Sequence, residues 1–158
     1  MANTQSMCTS FMGELMTATH NFGTAPTRAS TAADTFKAAL YLTSATVNAS
    51  TTAYSSTGEV SGTGYTAGGV AVTNATAPIA TNSSATAGVA YWTPSASITY
   101  TTVTLTTAFD AVLIYNSTQS NKAVSVHTFG SQTITAGTFT LTMPSNTTST
   151  ALLRLSTT

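Results

Sequence analysis

The sequence predicts a mainly β fold: an antiparallel, jelly-roll-like β-sandwich with one N-terminal helix. Three observations carry that expectation. Short runs rich in Val, Ile, Thr and aromatic residues recur beyond Asp34, separated by Gly, Pro, Asn and Ser, and Thr alone makes up about a quarter of the chain. Several of these runs alternate apolar with polar residues, the two-residue repeat of a strand. Only the segment Ser6–Phe22 shows helical spacing. A chain of 158 residues is long enough for one core and short for two. Residues 1–158 are therefore read as one domain, with the helix at about 6–22 and the sandwich at about 34–158.

In the helical segment Met7, Phe11 and Leu15 recur every fourth residue, with Met12 and Met16 beside them; Thr4 or Ser6 would cap its start and Gly23 its end. Packing on its own domain is the ordinary role of such a face. From Phe36 the period changes. Phe36, Ala38, Leu40 and Leu42 fall on one side of a strand, and Lys37, Ala39 and Tyr41 on the other. Further strands are expected at Val70–Thr73, Val89–Thr93, Ile98–Thr106, Phe109–Tyr115, Lys122–Phe129, Thr138–Met143 and Ala151–Leu155. In ITYTTVTLTTAF the apolar positions switch from even (Ile98, Tyr100) to odd (Val103, Leu105), which predicts a bulge near Thr101 or Thr102. AVLIY, apolar on both faces, belongs at the centre of a sheet, and NSTQSN (116–121) is a turn.

Charged residues form only 5% of the chain, and four Lys and Arg balance four Asp and Glu. The surface is expected to consist of hydroxyls and amides. No basic footprint for nucleic acid exists, and the mutual repulsion that keeps proteins apart in solution is missing. Aromatic and β-branched residues are too many for a disordered chain. MANTQSMCTS has neither a basic region nor a long apolar run, so no secretory signal and no membrane span are predicted, and synthesis in a cytoplasm is expected. Without such a signal the sequons at Asn48, Asn74, Asn82, Asn116 and Asn146 read as by-products of composition. Cys8 stands alone, so it forms no internal disulfide and reads as a small core-facing helix residue.

GEVSGTGYTAGG (58–69) resembles a phosphate-binding loop in its glycine density alone. A P-loop needs Lys and a hydroxyl residue after its last glycine, then a helix; here VAVTNA follows, a strand-like run. The glycines read instead as positions of positive φ in a long connection that crosses between sheets or reaches a neighbouring subunit. His20, His127, Asp34 and Asp110 with the many serines form no recognisable nucleophile context. His127 should share a strand face with Ser125 and Phe129, and His20 should sit at the helix end, where the dipole favours it. Two scattered histidines suggest no metal site. Glycosidase chemistry would have only Glu59 and Asp110 to draw on. Tyr65, Tyr91, Trp92 and Tyr100 would suit a sugar-binding surface or, more simply, a β core or interface. No catalytic, cofactor-binding or metal-binding residue is assigned, and no cofactor is expected.

LMTATHNFGT (15–24), DTFKAALYLTSATVNASTTAYSSTGEVSGTGYTAGGVAV (34–72), AVLIYNSTQSNKAVSVHTFGS (111–131) and TFTLTMP (138–144) together resemble a family of small structural proteins encoded by tailed bacteriophages. The resemblance spans most of the chain and is most specific in EVSGTGYTAGG and in LIYN followed by a strand ending in FG. It implies a non-enzymatic virion component, a decoration or cement protein on the exterior of an icosahedral capsid. Its implied partners are the major capsid protein and copies of itself, as a dimer or trimer, with no nucleic acid and no membrane. The alternatives are a tail accessory or fibre-attachment protein and a carbohydrate-binding β-sandwich.

Overall fold

The computed structural model describes residues 3–16, 19–22, 33–73, 77–81 and 88–156. Among the described residues it is mainly β, as expected, with two antiparallel sheets and one short helix in a sandwich-like arrangement; the strand orders do not establish a jelly roll. The elements are β1 (Ser6–Met7), α1 (Thr9–Met16), β2 (Phe36–Leu42), β3 (Val70–Ala71), β4 (Ile79–Ala80), β5 (Val89–Trp92), β6 (Ile98–Asn116), β7 (Lys122–Leu141) and β8 (Leu153–Ser156). The larger sheet has the order β1-β7-β6-β2-β3 and the smaller β4-β5-β8.

β6 and β7, of 19 and 20 residues, form one hairpin where four shorter strands were expected. Tyr100 pairs with Phe139 near one end of this hairpin, yet its hydroxyl donates to the carbonyl of Ala38 at 2.8 Å, and Ala38 pairs with Ile114 near the other end. Fourteen residues of straight strand would separate Tyr100 from Ile114 by about 46 Å. The hairpin therefore folds back on itself, its two halves facing each other. Register shifts between Tyr100/Val103, Val103/Leu105, Leu105/Phe109 and Phe109/Ala111 make the corner, as extra residues bend and twist a strand. Thr102, with φ 53°, is at the position where the change of apolar parity predicts a bulge. Phe109, Phe129 and Phe139 meet inside the bend, with centroids 5.1 to 5.9 Å apart.

β2 forms where its alternation predicts a strand, but Ala39 and Tyr41 on its second face are buried as well; AVLIY, at the centre of the larger sheet, is buried throughout. The turn closing the hairpin places Ser120 and Asn121 at φ 53° and 59°. The smaller sheet docks through Trp92, whose ring lies 4.8 Å from Phe22 and 6.2 Å from Phe36.

The N-terminus departs from expectation. α1 spans Thr9–Met16 instead of about 6–22; Thr17 and Ala18 lie outside the described residues, as does Gly23, the expected cap. Ser6 and Met7 pair with Val126 and Ser125, and Cys8 N–H donates to Val124 carbonyl at 3.0 Å. A sheet edge in need of partners thus takes the segment that helical spacing assigned to the first turn. Phe11 is buried as predicted, whereas Met12 is exposed. Cys8 is fully buried just before the helix, and burial, followed by the charge of Glu14, pushes its thiol up to about 11.

The glycine-rich connection runs along the edge of β2 opposite β6 and leads into β3. Leu42 N–H donates to Gly58 carbonyl, Val60 N–H to Leu40 carbonyl and Val72 N–H to Phe36 carbonyl. Between these contacts it reaches the far half of β6, where Thr104 N–H donates to Thr63 carbonyl at 2.9 Å. It therefore crosses between the two halves of the folded hairpin, and its close approaches are met within the chain. A β-carbon on Gly69 (φ 71°) would lie 1.6 Å from Ala38 carbonyl oxygen, and one on Gly62 would lie 2.0 Å from that of Thr104. Gly69→Ala is expected to destabilise the protein by about 3 kcal/mol or more. Gly130→Ala, with nothing within 4 Å, should stay within about 1 kcal/mol of the parent, both read from urea unfolding midpoints.

Candidate functional site

Three clusters contain the chemistry-bearing side chains. The first centres on Glu59, which the Tyr41–Glu59 bridge holds at the edge of β2. Its Oε1 accepts from Tyr65 hydroxyl at 2.7 Å and Gly68 N–H at 2.8 Å, and its Oε2 accepts from Tyr54 hydroxyl at 2.7 Å. Tyr115 hydroxyl donates to Gly68 carbonyl and lies under Tyr54, the two rings stacked at 4.7 Å. Leu40 N–H donates to Tyr65 hydroxyl, which also fixes the connection to β2. Burial, reinforced by the Glu59 charge, pushes the hydroxyls of Tyr54, Tyr65, Tyr100 and Tyr115 up, so they stay protonated donors. The same burial, with a smaller opposing bond to Ser55 carbonyl, takes Tyr41 to about 12. This carboxylate anchors the glycine-rich connection by its donors.

The second cluster is a relay behind α1. Lys122 Nζ donates to Glu14 Oε1 at 2.7 Å, and Glu14 Oε2 lies 2.7 Å from His20 Nε2. His20 Nδ1 is 3.0 Å from Asn116 Nδ2, which also donates to Asp34 Oδ2 at 2.8 Å. Since an amide nitrogen only donates, Nδ1 must accept, and the proton resides on Nε2, donating to Glu14. Asp34 further accepts from Asn21 N–H and Gln119 Nε2, and Asn116 Oδ1 accepts the N–H groups of Thr118 and Gln119 in the hairpin turn. Burial depresses the His20 pKa, outweighing the hydrogen bond and charge of Glu14 that act in the other direction. For Glu14 burial acts upward, and the bonds and charges of Lys122 and His20 outweigh it, holding the carboxyl below its usual range.

The third is small. Ser125 Oγ lies 2.9 Å from His127 Nε2 on one face of β7, the neighbours that alternation predicts. Burial lowers the His127 pKa to about 4. Ser125 is 1% exposed, and its hydroxyl lies against the imidazole inside the sheet.

The structure brings His20 and Asp34 together, but through Asn116 and without a serine, and both nitrogens of His20 are engaged. His20 lies beyond α1 with its ring against Phe11 at 4.8 Å, so the expected helix-end placement gives way to a core position. Glu59 and Asp110 serve different partners: Asp110 accepts from Asn3 Nδ2 at 2.5 Å. Trp92 is 2% exposed, Tyr100 is buried, Tyr65 belongs to the Glu59 cluster, and Tyr91 lines a shallow apolar pocket of about 90 Å³ beside α1. Tyr65 and Tyr91 remain partly exposed, while Trp92 and Tyr100 are buried. Among the described residues no three His, Cys, Asp or Glu side chains converge as metal ligands. Asn116, read in the sequence as a sequon and as the start of a turn, is fully buried and links the relay to that turn. Its one sequence signal is its place at the mouth of the NSTQSN turn, where Asn side chains bond to backbone. Asn74 and Asn82 lie outside the described residues.

Comparison with known proteins gives no match: no family model, no curated protein and no solved structure corresponds to this chain.

Two measurements check these assignments. Glu59→Gln replaces one acceptor by an amide nitrogen that cannot receive a tyrosine proton, and a loss of about 2 kcal/mol in chemical denaturation is expected. His127 titrates lower in the folded state, at about 4, than its ordinary 6.5. Between those values the unfolded chain binds more protons, so its contribution is full above pH 6.5 and is lost as pH falls toward 4. Unfolding midpoints should decline across that window, with a shallower slope for His127→Gln.

Proposed function

We propose that this chain is a non-enzymatic bacteriophage virion protein, a capsid decoration or cement protein that stabilises an icosahedral head by contacts with the major capsid protein. One observation carries the reading. The acid–base side chains of the three clusters are engaged in internal hydrogen bonds that hold connections and strand ends in place. Charged residues make up only 5% of the chain, and many of its exposed residues are Thr and Ser. Such a surface loses less solvation free energy on burial than one of Lys and Glu, so it suits lasting contact with neighbours. The resemblance in EVSGTGYTAGG and LIYN points the same way.

The mechanism is adhesion. Each copy adds modest contact area across a joint between capsid subunits, and symmetry repeats that contact over the shell. A site on the capsid exterior follows from this role. Quantitative mass spectrometry of purified virions that carry the protein provides the test. A head decoration protein is expected on the order of hundreds of copies per particle, and roughly three to twelve copies would replace this reading by a tail accessory role.

A further inference from the structure

β7 is paired on one side only along most of its length. β1, Cys8 and the Thr52–Ala53 segment cover Lys122 to Val126, and among the described residues no strand lies outside His127 to Leu141. From His127 to Thr142 the sequence contains no Lys, Arg, Asp, Glu or Pro. Exposed strand edges usually carry such residues, or bulges, to prevent pairing with other chains. Bulges interrupt this edge as far as Ala136, at φ 49°. Beyond them Phe139, Thr140 and Leu141 pair regularly with Tyr100, Thr99 and Ile98, leaving a regular edge without such protection.

Its backbone orientation follows from one bond. Met143 N–H donates to Ser97 Oγ at 3.4 Å and so faces the β6 side. By the two-residue repeat, the backbone groups of Thr138, Thr140 and Thr142 face outward. The side chains of these threonines are exposed, while Phe139, Leu141 and Met143 are half-buried. Leu141 and Met143 line an apolar pocket of about 120 Å³ beneath the edge.

We propose that Thr138–Thr142 pairs antiparallel with the same segment of a second copy of this chain, about a two-fold axis at Thr140. The occupant follows from the pattern: T-F-T-L-T has the same polarity read in either direction. Thr140 then meets Thr140 of the second copy and exchanges both backbone hydrogen bonds with it, Thr138 meets Thr142, and Phe139 meets Leu141, so the apolar floor continues across the joint. With a formal net charge of zero, no long-range repulsion opposes the approach. This inference concerns self-contact alone, and its failure would leave the virion reading standing.

Sedimentation velocity of the whole chain up to about 100 μM tests it. The parent is expected to form a dimer. Thr140→Lys, which sets two ammonium groups opposite each other, should weaken the dimer by about tenfold or more with an unchanged circular dichroism spectrum. A short bismaleimide should join Thr140→Cys covalently into dimers and leave Thr138→Cys without cross-link, since only position 140 meets itself; Cys8, buried, does not interfere. A monomeric parent, an unweakened Thr140→Lys dimer, or equal cross-linking at both positions would overturn the proposal.

Discussion

The hydrogen bond from Tyr100 to the carbonyl of Ala38 fixes the constraint on which the rest of the fold depends, because it closes a bent hairpin onto its own sheet. Long strand pairs left alone are marginal in water. Folded over, the same pair encloses Val103, Leu105, Phe109 and Leu113, each no more than 1% exposed. The bend also creates a gap between the edge of β2 and the far half of β6, and the glycine-rich connection spans it. Its glycines are needed because two backbones approach there more closely than a β-carbon allows.

The few charged groups follow the same logic. Glu59 lies where three donors converge, two of them tyrosine hydroxyls that burial keeps protonated. Glu14, His20, Asn116 and Asp34 tie the region after α1 to the hairpin turn. An unpaired polar group in such surroundings would be destabilising, so each of these clusters specifies one arrangement of loops that apolar packing would leave loosely defined.

Much of the fold is legible where a local rule decides. The alternation of β2, the parity switch at Thr102, the central AVLIY run and the Ser125–His127 adjacency all follow from the two-residue period of strands. Continuity of the hairpin is not legible, since bulges look in sequence like breaks between strands. β1 is only two residues long, and its identity is set by the free edge of β7 more than by Ser6 and Met7 themselves. Asn116 escapes for a related reason. Its partners His20 and Asp34 are 96 and 82 residues away, and no spacing rule joins them.

The pairing of Ser6 and Met7 with Val126 and Ser125 also sets an order of events in the cell. A ribosome releases the first strand long before its complement exists, and these residues must wait, uncommitted, while more than a hundred others emerge. Closure of this edge therefore waits until Ser125 and Val126 have emerged, and a nascent chain truncated before Ser125 offers Ser6 and Met7 no partner.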